Sequence, residues 1–125
     1  MSVAFYIENS YKVSELITKK YSTSFSLATS VLEKEKRKAI YAIYGFVSLA
    51  DEIVDRLHNY DKSFLLEKLT EDLEYALKYG ISTNLILASF VDTAKKYRIK
   101  KEHIDAFMQS MEYDEFGRVI VDDVV

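Results

Sequence analysis

Ala39-Ile40-Tyr41-Ala42-Ile43-Tyr44-Gly45-Phe46-Val47-Ser48-Leu49-Ala50 contains almost nothing polar, and it runs directly into Asp51-Glu52-Ile53-Val54-Asp55. A helix that is apolar nearly all round is normally buried. Two aspartates four apart in such a helix share a face, with Cβ atoms about 5–6 Å apart, and as two anions they repel slightly. An ionised carboxylate taken into an interior needs a cation or a set of hydrogen bonds. A divalent metal would answer both problems, which makes Asp51 and Asp55 candidate metal ligands.

Upstream, the same segment begins with Lys34, Lys36, Arg37 and Lys38, so one long helix over roughly 34–57 starts charged and turns apolar before it reaches the aspartates. The basic cluster reads as a solvated first turn or as a surface for anionic lipid headgroups. Before it lies Tyr21-Ser22-Thr23-Ser24-Phe25-Ser26, whose hydroxyls compete with the backbone for hydrogen bonds; the sequence predicts a break there, entering a short helix to Leu32. A first helix is expected over 11–20, capped by Asn9 or Ser10, with Val13, Leu16 and Ile17 on its apolar side.

Downstream, Asp61 caps a predicted fourth helix that sets Leu65, Leu69, Leu73, Ala76 and Leu77 on one face and stops at Gly80. Ser82 or Thr83 is the expected cap of a fifth, carrying Leu85, Leu87, Ala88, Val91 and Ala94. A sixth is expected over about 100–112, with Ile104, Phe107, Met108 and Met111. Residues 116–125 lose helical periodicity and become rich in β-branched side chains, as in a strand-like or disordered tail. Zero prolines and three glycines in 125 residues, where average usage supplies about six and nine, leave few punctuation marks for an all-β chain. The expected fold class is all-α, about six helices in a single domain, with neighbours antiparallel across short connections.

Composition narrows the function classes. With 17 basic and 20 acidic side chains the formal charge is −3, which gives no bulk electrostatic case for nucleic acid. The absence of cysteine excludes disulfides, thiolate zinc sites and a cysteine nucleophile. The amino terminus lacks the basic flank and apolar run of a signal peptide, and the longest apolar stretch falls short of the roughly 18 residues of a membrane span. A cytoplasmic protein is expected.

Three segments then carry a resemblance. Tyr21-Ser22-Thr23-Ser24-Phe25, Arg37-Lys38-Ala39-Ile40-Tyr41-Ala42-Ile43-Tyr44-Gly45-Phe46 and Ala50-Asp51-Glu52-Ile53-Val54-Asp55 are similar, in order and spacing, to the opening third of a squalene/phytoene synthase. Ser110-Met111-Glu112-Tyr113-Asp114 resembles the passage into that family's second half. The resemblance covers about residues 10–114, with 115–125 a divergent tail. It implies the amino-terminal part of an isoprenoid-synthase-type helical bundle, and a head-to-head condensation of two prenyl diphosphates, geranylgeranyl or farnesyl, in isoprenoid or carotenoid biosynthesis.

The resemblance further implies Mg²⁺ held by Asp51 and Asp55 as catalytic and metal residues. Ser22, Ser24, Phe25 and Tyr44 fall at substrate-binding positions. Hydroxyls can donate to diphosphate oxygens, and an aromatic lining can keep water from an allylic cation and stabilise it. Core packing is an equal reading of Tyr41 and Tyr44. The chain departs from the family pattern at Ser48, where an arginine is usual, at Tyr21, often a histidine, and at Glu33, usually a proline. A second aspartate-rich helix is not found, and Asp122-Asp123 lacks the spacing to replace it. These departures imply an incomplete enzyme, with a complementing polypeptide as a partner and peripheral membrane contact compatible with lipid-soluble products. The alternative is a non-catalytic helical module that binds a prenyl diphosphate or a partner protein.

Overall fold

The computed structural model describes residues 2–57 and 59–109. Among them are six helices and no strand: α1 (Val3–Tyr21), α2 (Thr23–Thr29), α3 (Lys34–Asp55), α4 (Lys62–Tyr79), α5 (Leu85–Tyr97) and α6 (Lys101–Gln109). The all-α expectation holds. The readings of residues 110–125 as a helix end and a strand-like tail fall outside the described residues.

Several boundaries were legible as caps. Asp61 accepts the Phe64 N–H at 3.0 Å to open α4, and Gly80 closes it at φ 77°, a backbone that a side chain rarely adopts. Others moved. Ser2 caps α1, so that helix starts eight residues before the expected Tyr11. Asn84 caps α5 by accepting from Ile86 and Leu87 N–H; Ser82 instead accepts the Asn84 N–H on its hydroxyl and the Tyr6 hydroxyl on its carbonyl.

The larger correction concerns which face of α1 is inside. Leu16 is 56% exposed, and Val13 and Ile17 are only half-buried. The buried residues are Ser10, Tyr11, Ser14 and Thr18. Small hydroxyl residues allow backbones to approach closely when their polar atoms find partners. Ser14 Oγ lies 2.7 Å from Ser89 Oγ, and since Ser89 donates to Ile86 O, Ser14 supplies the hydrogen. Thr18 donates to Ser14 O at 2.9 Å. Tyr11 donates to Asp92 Oδ2 at 2.7 Å and lies 2.9 Å from Thr93 Oγ1. Among the described residues no buried side-chain nitrogen or oxygen lacks a hydrogen-bond partner.

These pairings set the topology. Ser14 faces Gly45, Glu8 pairs with Lys38 and Tyr21 meets Glu52, so α1 and α3 run parallel. The reversal is made by α2, which lies back along α3 through Phe25 on Tyr44 and Ser26 near Tyr41. By contrast α5 runs antiparallel to α1, with Ser14 against Ser89 and Tyr11 against Thr93. Away from this polar seam, α3 buries Ile40, Ile43, Phe46, Ala50 and Ile53 in an apolar core shared with Leu69 and Leu73 of α4, Leu87 and Phe90 of α5, and Ile104 and Phe107 of α6. Phe46 stacks on Phe90 at 4.3 Å and tilts against Phe107 at 5.5 Å. The middle of α3 is therefore covered on nearly all sides, as its apolar run required. No helix among the described residues is long and apolar enough to cross a membrane.

Candidate functional site

Tyr44, Ser48, Asp51 and Asp55 recur at i, i+4, i+7 and i+11 along α3 and so form one stripe on its surface. Burial falls from Ser48 onward: Ser48 is 8% exposed, Asp51 is half-buried and Asp55 is exposed at the last helical residue. The pair thus stands where α3 leaves the core, with Asp55 in solvent rather than enclosed. Both carboxylates take part in interactions with their surroundings. Among the described residues no group of three or more His, Cys, Asp or Glu is placed to hold a metal ion.

The serine-rich segment arrives at this stripe because α1 ends beside the carboxyl end of α3. Ser22 is the N-cap of α2, its Oγ accepting the Phe25 N–H at 3.2 Å; this satisfies one of the donors that every helix start leaves open. Phe25 stacks on Tyr44 with ring centroids 3.7 Å apart and planes at 26°. Ser22 and Phe25 are half-buried and Ser24 is exposed. The structure therefore brings Phe25 onto Tyr44 and holds Ser22 one turn away. Ser24 lies on the same short helix, turned to solvent.

Tyr21 adds a contact that motif reading missed. Partial burial, then its hydrogen bond to the Glu52 carboxylate, raises the tyrosine above its ordinary value. Glu52 also lies 3.8 Å from Arg56. The carboxyl end of α3 therefore carries Asp51, Glu52 and Asp55, while its amino end carries Lys34, Lys36, Arg37 and Lys38 with Glu35. Each end holds mostly the charge that the helix dipole disfavours. The only sequence signal for Tyr21 and Glu52 as partners was their adjacency to the two motifs.

Comparison with known proteins decides what this arrangement belongs to. The family model described as squalene/phytoene synthase matches residues 18–122, most of the chain. The chain belongs to the squalene/phytoene synthase family. It is 28% identical over 114 residues to the 4,4'-diapophytoene synthase of Staphylococcus haemolyticus, covering 87% of this chain and 39% of that protein. It is 29% identical over 99 residues to the chloroplastic phytoene synthase 1 of Zea mays, covering 78% of this chain and 24% of that one. A 15-cis-phytoene synthase of Synechocystis matches at 37% over 49 residues, 39% of this chain and 14% of that protein. The chain spans at most about two fifths of the length of these curated relatives. No solved structure gives a significant match. Family membership fits the order in which α2, the apolar α3 and its terminal aspartates follow one another.

Proposed function

We propose that this chain forms the amino-terminal part of a prenyltransferase that condenses two prenyl diphosphates head to head, using Asp51 and Asp55 to hold Mg²⁺ against the departing diphosphate. The observation that carries this reading is the stripe Tyr44, Ser48, Asp51, Asp55 with the Phe25 stack beside it, in a chain of this family.

The donor set suits the ion. Mg²⁺ keeps several waters and is usually bound through one or two carboxylates plus substrate phosphates. Two carboxylates one turn apart, without a third acidic or histidine ligand among the described residues, match a site shared with substrate better than an all-protein cage. When bound, magnesium neutralises charge that develops on the leaving group.

The chain's own residues do the rest. Ser22 Oγ already accepts a backbone N–H, so its hydroxyl hydrogen is directed elsewhere and can be donated to a diphosphate oxygen. Ser24, exposed on the same helix, has both hydroxyl roles open to a ligand. The paired rings of Phe25 and Tyr44 form a wall that excludes water from the allylic cation and offers it a π face. With Ser48 in place of a guanidinium, this half-site relies on the metal for charge neutralisation. Further carboxylates for a second metal come, in this reading, from polypeptide beyond the portion matched here, in the same chain or a complementing one.

Farnesyl and geranylgeranyl diphosphates are the candidate substrates, and the relatives' names favour a phytoene-type product over squalene. The test is Mg²⁺-dependent binding of these two compounds by the purified chain, abolished by Asp51→Ala.

A further inference from the structure

The first two turns of α3, residues 34–41, take no part in the site above, yet they border two adjoining cavities. One, of about 530 Å³, opens beside α2 and has Lys19, Arg37, Ser26, Ser30, Leu27 and Tyr41 among its lining residues. The other, of about 350 Å³, lies between α1 and α3 and includes Lys12, Lys34 and Lys38. Arg37, Tyr41 and Glu15 line both, so the two form one groove.

Its charge is opposite to that of the chain. Five cations meet two carboxylates, Glu8 and Glu15, in a protein of net charge −3. Glu8 is held by Lys38 at 2.9 Å and Glu15 lies 3.6 Å from Lys19, which leaves the charges of Lys12, Lys34 and Arg37 uncompensated within the groove. Arg37 places one N–H 3.4 Å from Leu32 O, out of the five donors a guanidinium carries. The Lys38 hydrogen bond, with the nearby charges of Lys34 and Lys12, holds the Glu8 carboxyl below its usual range, as a positive local field would.

A second observation is independent of the cavities. The groove lies at the start of α3, where the helix dipole already adds positive potential and cations are disfavoured, and Glu33 caps that start without a side-chain hydrogen bond. Beside it, Leu27 is 67% and Val31 85% exposed. Cations, the one hydroxyl hydrogen that the Ser26–Tyr41 pair leaves over and an apolar rim together suit a phosphate carried on an apolar chain.

We propose that this groove is a second anion site, which binds the phosphate group of an amphiphile independently of the aspartate pair. Arg37 and Asp51 are 14 residues apart on α3, about 21 Å at 1.5 Å per residue, and the Phe25–Tyr44 stack stands between them. One phosphate cannot engage both.

The experiment uses the purified chain in EDTA, which leaves Asp51 and Asp55 without a divalent ion. Inorganic diphosphate is titrated by calorimetry, and vesicles of phosphatidylglycerol or of phosphatidylcholine alone are tested by sedimentation. Diphosphate binding, or capture by the anionic vesicles only, is expected to weaken about tenfold or more in Arg37→Gln and in the exposed double variant Lys12→Glu/Lys34→Glu, both shown folded by circular dichroism. Vesicle capture without diphosphate binding identifies a bilayer headgroup as the source of the phosphate; the reverse identifies a soluble phosphate compound. Absence of both, or binding that both variants retain, overturns the proposal.

Discussion

Phe25 lies flat on Tyr44, with ring centroids 3.7 Å apart, and this is the contact through which the short α2 is fastened to the stripe that ends in the aspartates. A seven-residue helix has little stability of its own, so the orientation of Ser22 and Ser24 depends on that stack and on the Ser22 cap. Phe25→Ala is expected to destabilise the chain by about 2 kcal/mol, less than a fully buried phenylalanine costs. Phe25→Leu should recover part of the loss. Urea unfolding of the three proteins measures both, and equal stability of Phe25→Ala and wild type would mean that α2 is held by something else.

Gly45 marks a close approach of α1 to α3. A Cβ there would come within 2.8 Å of Ser14 Cβ and Oγ and 3.1 Å of Ser14 Cα. Gly45→Ala gains helix propensity of about 1 kcal/mol, but it overpacks a buried crossing. The net expectation is destabilisation by about 1–3 kcal/mol, read as a lower denaturant midpoint with an unchanged slope. A stabilised variant would show that the two helices can move apart freely.

Tyr11 gives the fold an alkaline limit. Burial, aided by its bond to Asp92, pushes its hydroxyl well above the ordinary value near 10. The native state then keeps a proton that the unfolded chain releases. Stability from this group is complete below pH about 10 and declines as pH rises past it. Tyr11→Phe removes the hydrogen bonds to Asp92, which keeps Lys96 at 3.2 Å, and to the buried Thr93, and should cost about 1–3 kcal/mol at neutral pH. Because the variant escapes the alkaline loss, the difference from wild type should shrink between about pH 8 and about pH 11 in urea unfolding.

Ser48 tests the half-site at the position where the family pattern has a guanidinium. It is 8% exposed, one turn from the half-buried Asp51, so an arginine there would bury its stem and extend its head along α3 toward solvent. Ser48→Arg is expected to lower stability by about 1–3 kcal/mol through overpacking. It should also tighten Mg²⁺-dependent diphosphate binding by about 1.5–3 kcal/mol, as a hydrogen bond to a charged group. Calorimetry with the variant separates the two effects, and unchanged affinity would place the diphosphate elsewhere.

What the sequence revealed depended on whether the cause was local. Asp61 and Gly80 act on their own turns, and the apolar run of α3 carries its burial in its composition, so these were readable. The inner face of α1 was not, because Ser14 and Tyr11 are satisfied by Ser89 and Asp92, whose side chains lie 75 and 81 residues away. Hydrophobic periodicity chose Leu16 and Ile17 instead. The candidate site divides in the same way: the family resemblance nominated Ser22, Ser24, Phe25, Tyr44 and the aspartates, whereas the Phe25–Tyr44 stack and the Tyr21–Glu52 bond needed the parallel course of α1 and α3. The basic groove needed it as well, since Lys12 and Lys19 come from a different helix than Lys34 and Arg37.

The central claim is that Asp51 and Asp55 form a working diphosphate half-site. Calorimetric titration of the purified chain with farnesyl and geranylgeranyl diphosphates, with Mg²⁺ and with EDTA, measures it directly. The account predicts a Mg²⁺-dependent component of binding that Asp51→Ala and Asp55→Ala each remove. Identical isotherms with and without Mg²⁺, or a Mg²⁺-dependent component that survives both substitutions, would contradict it.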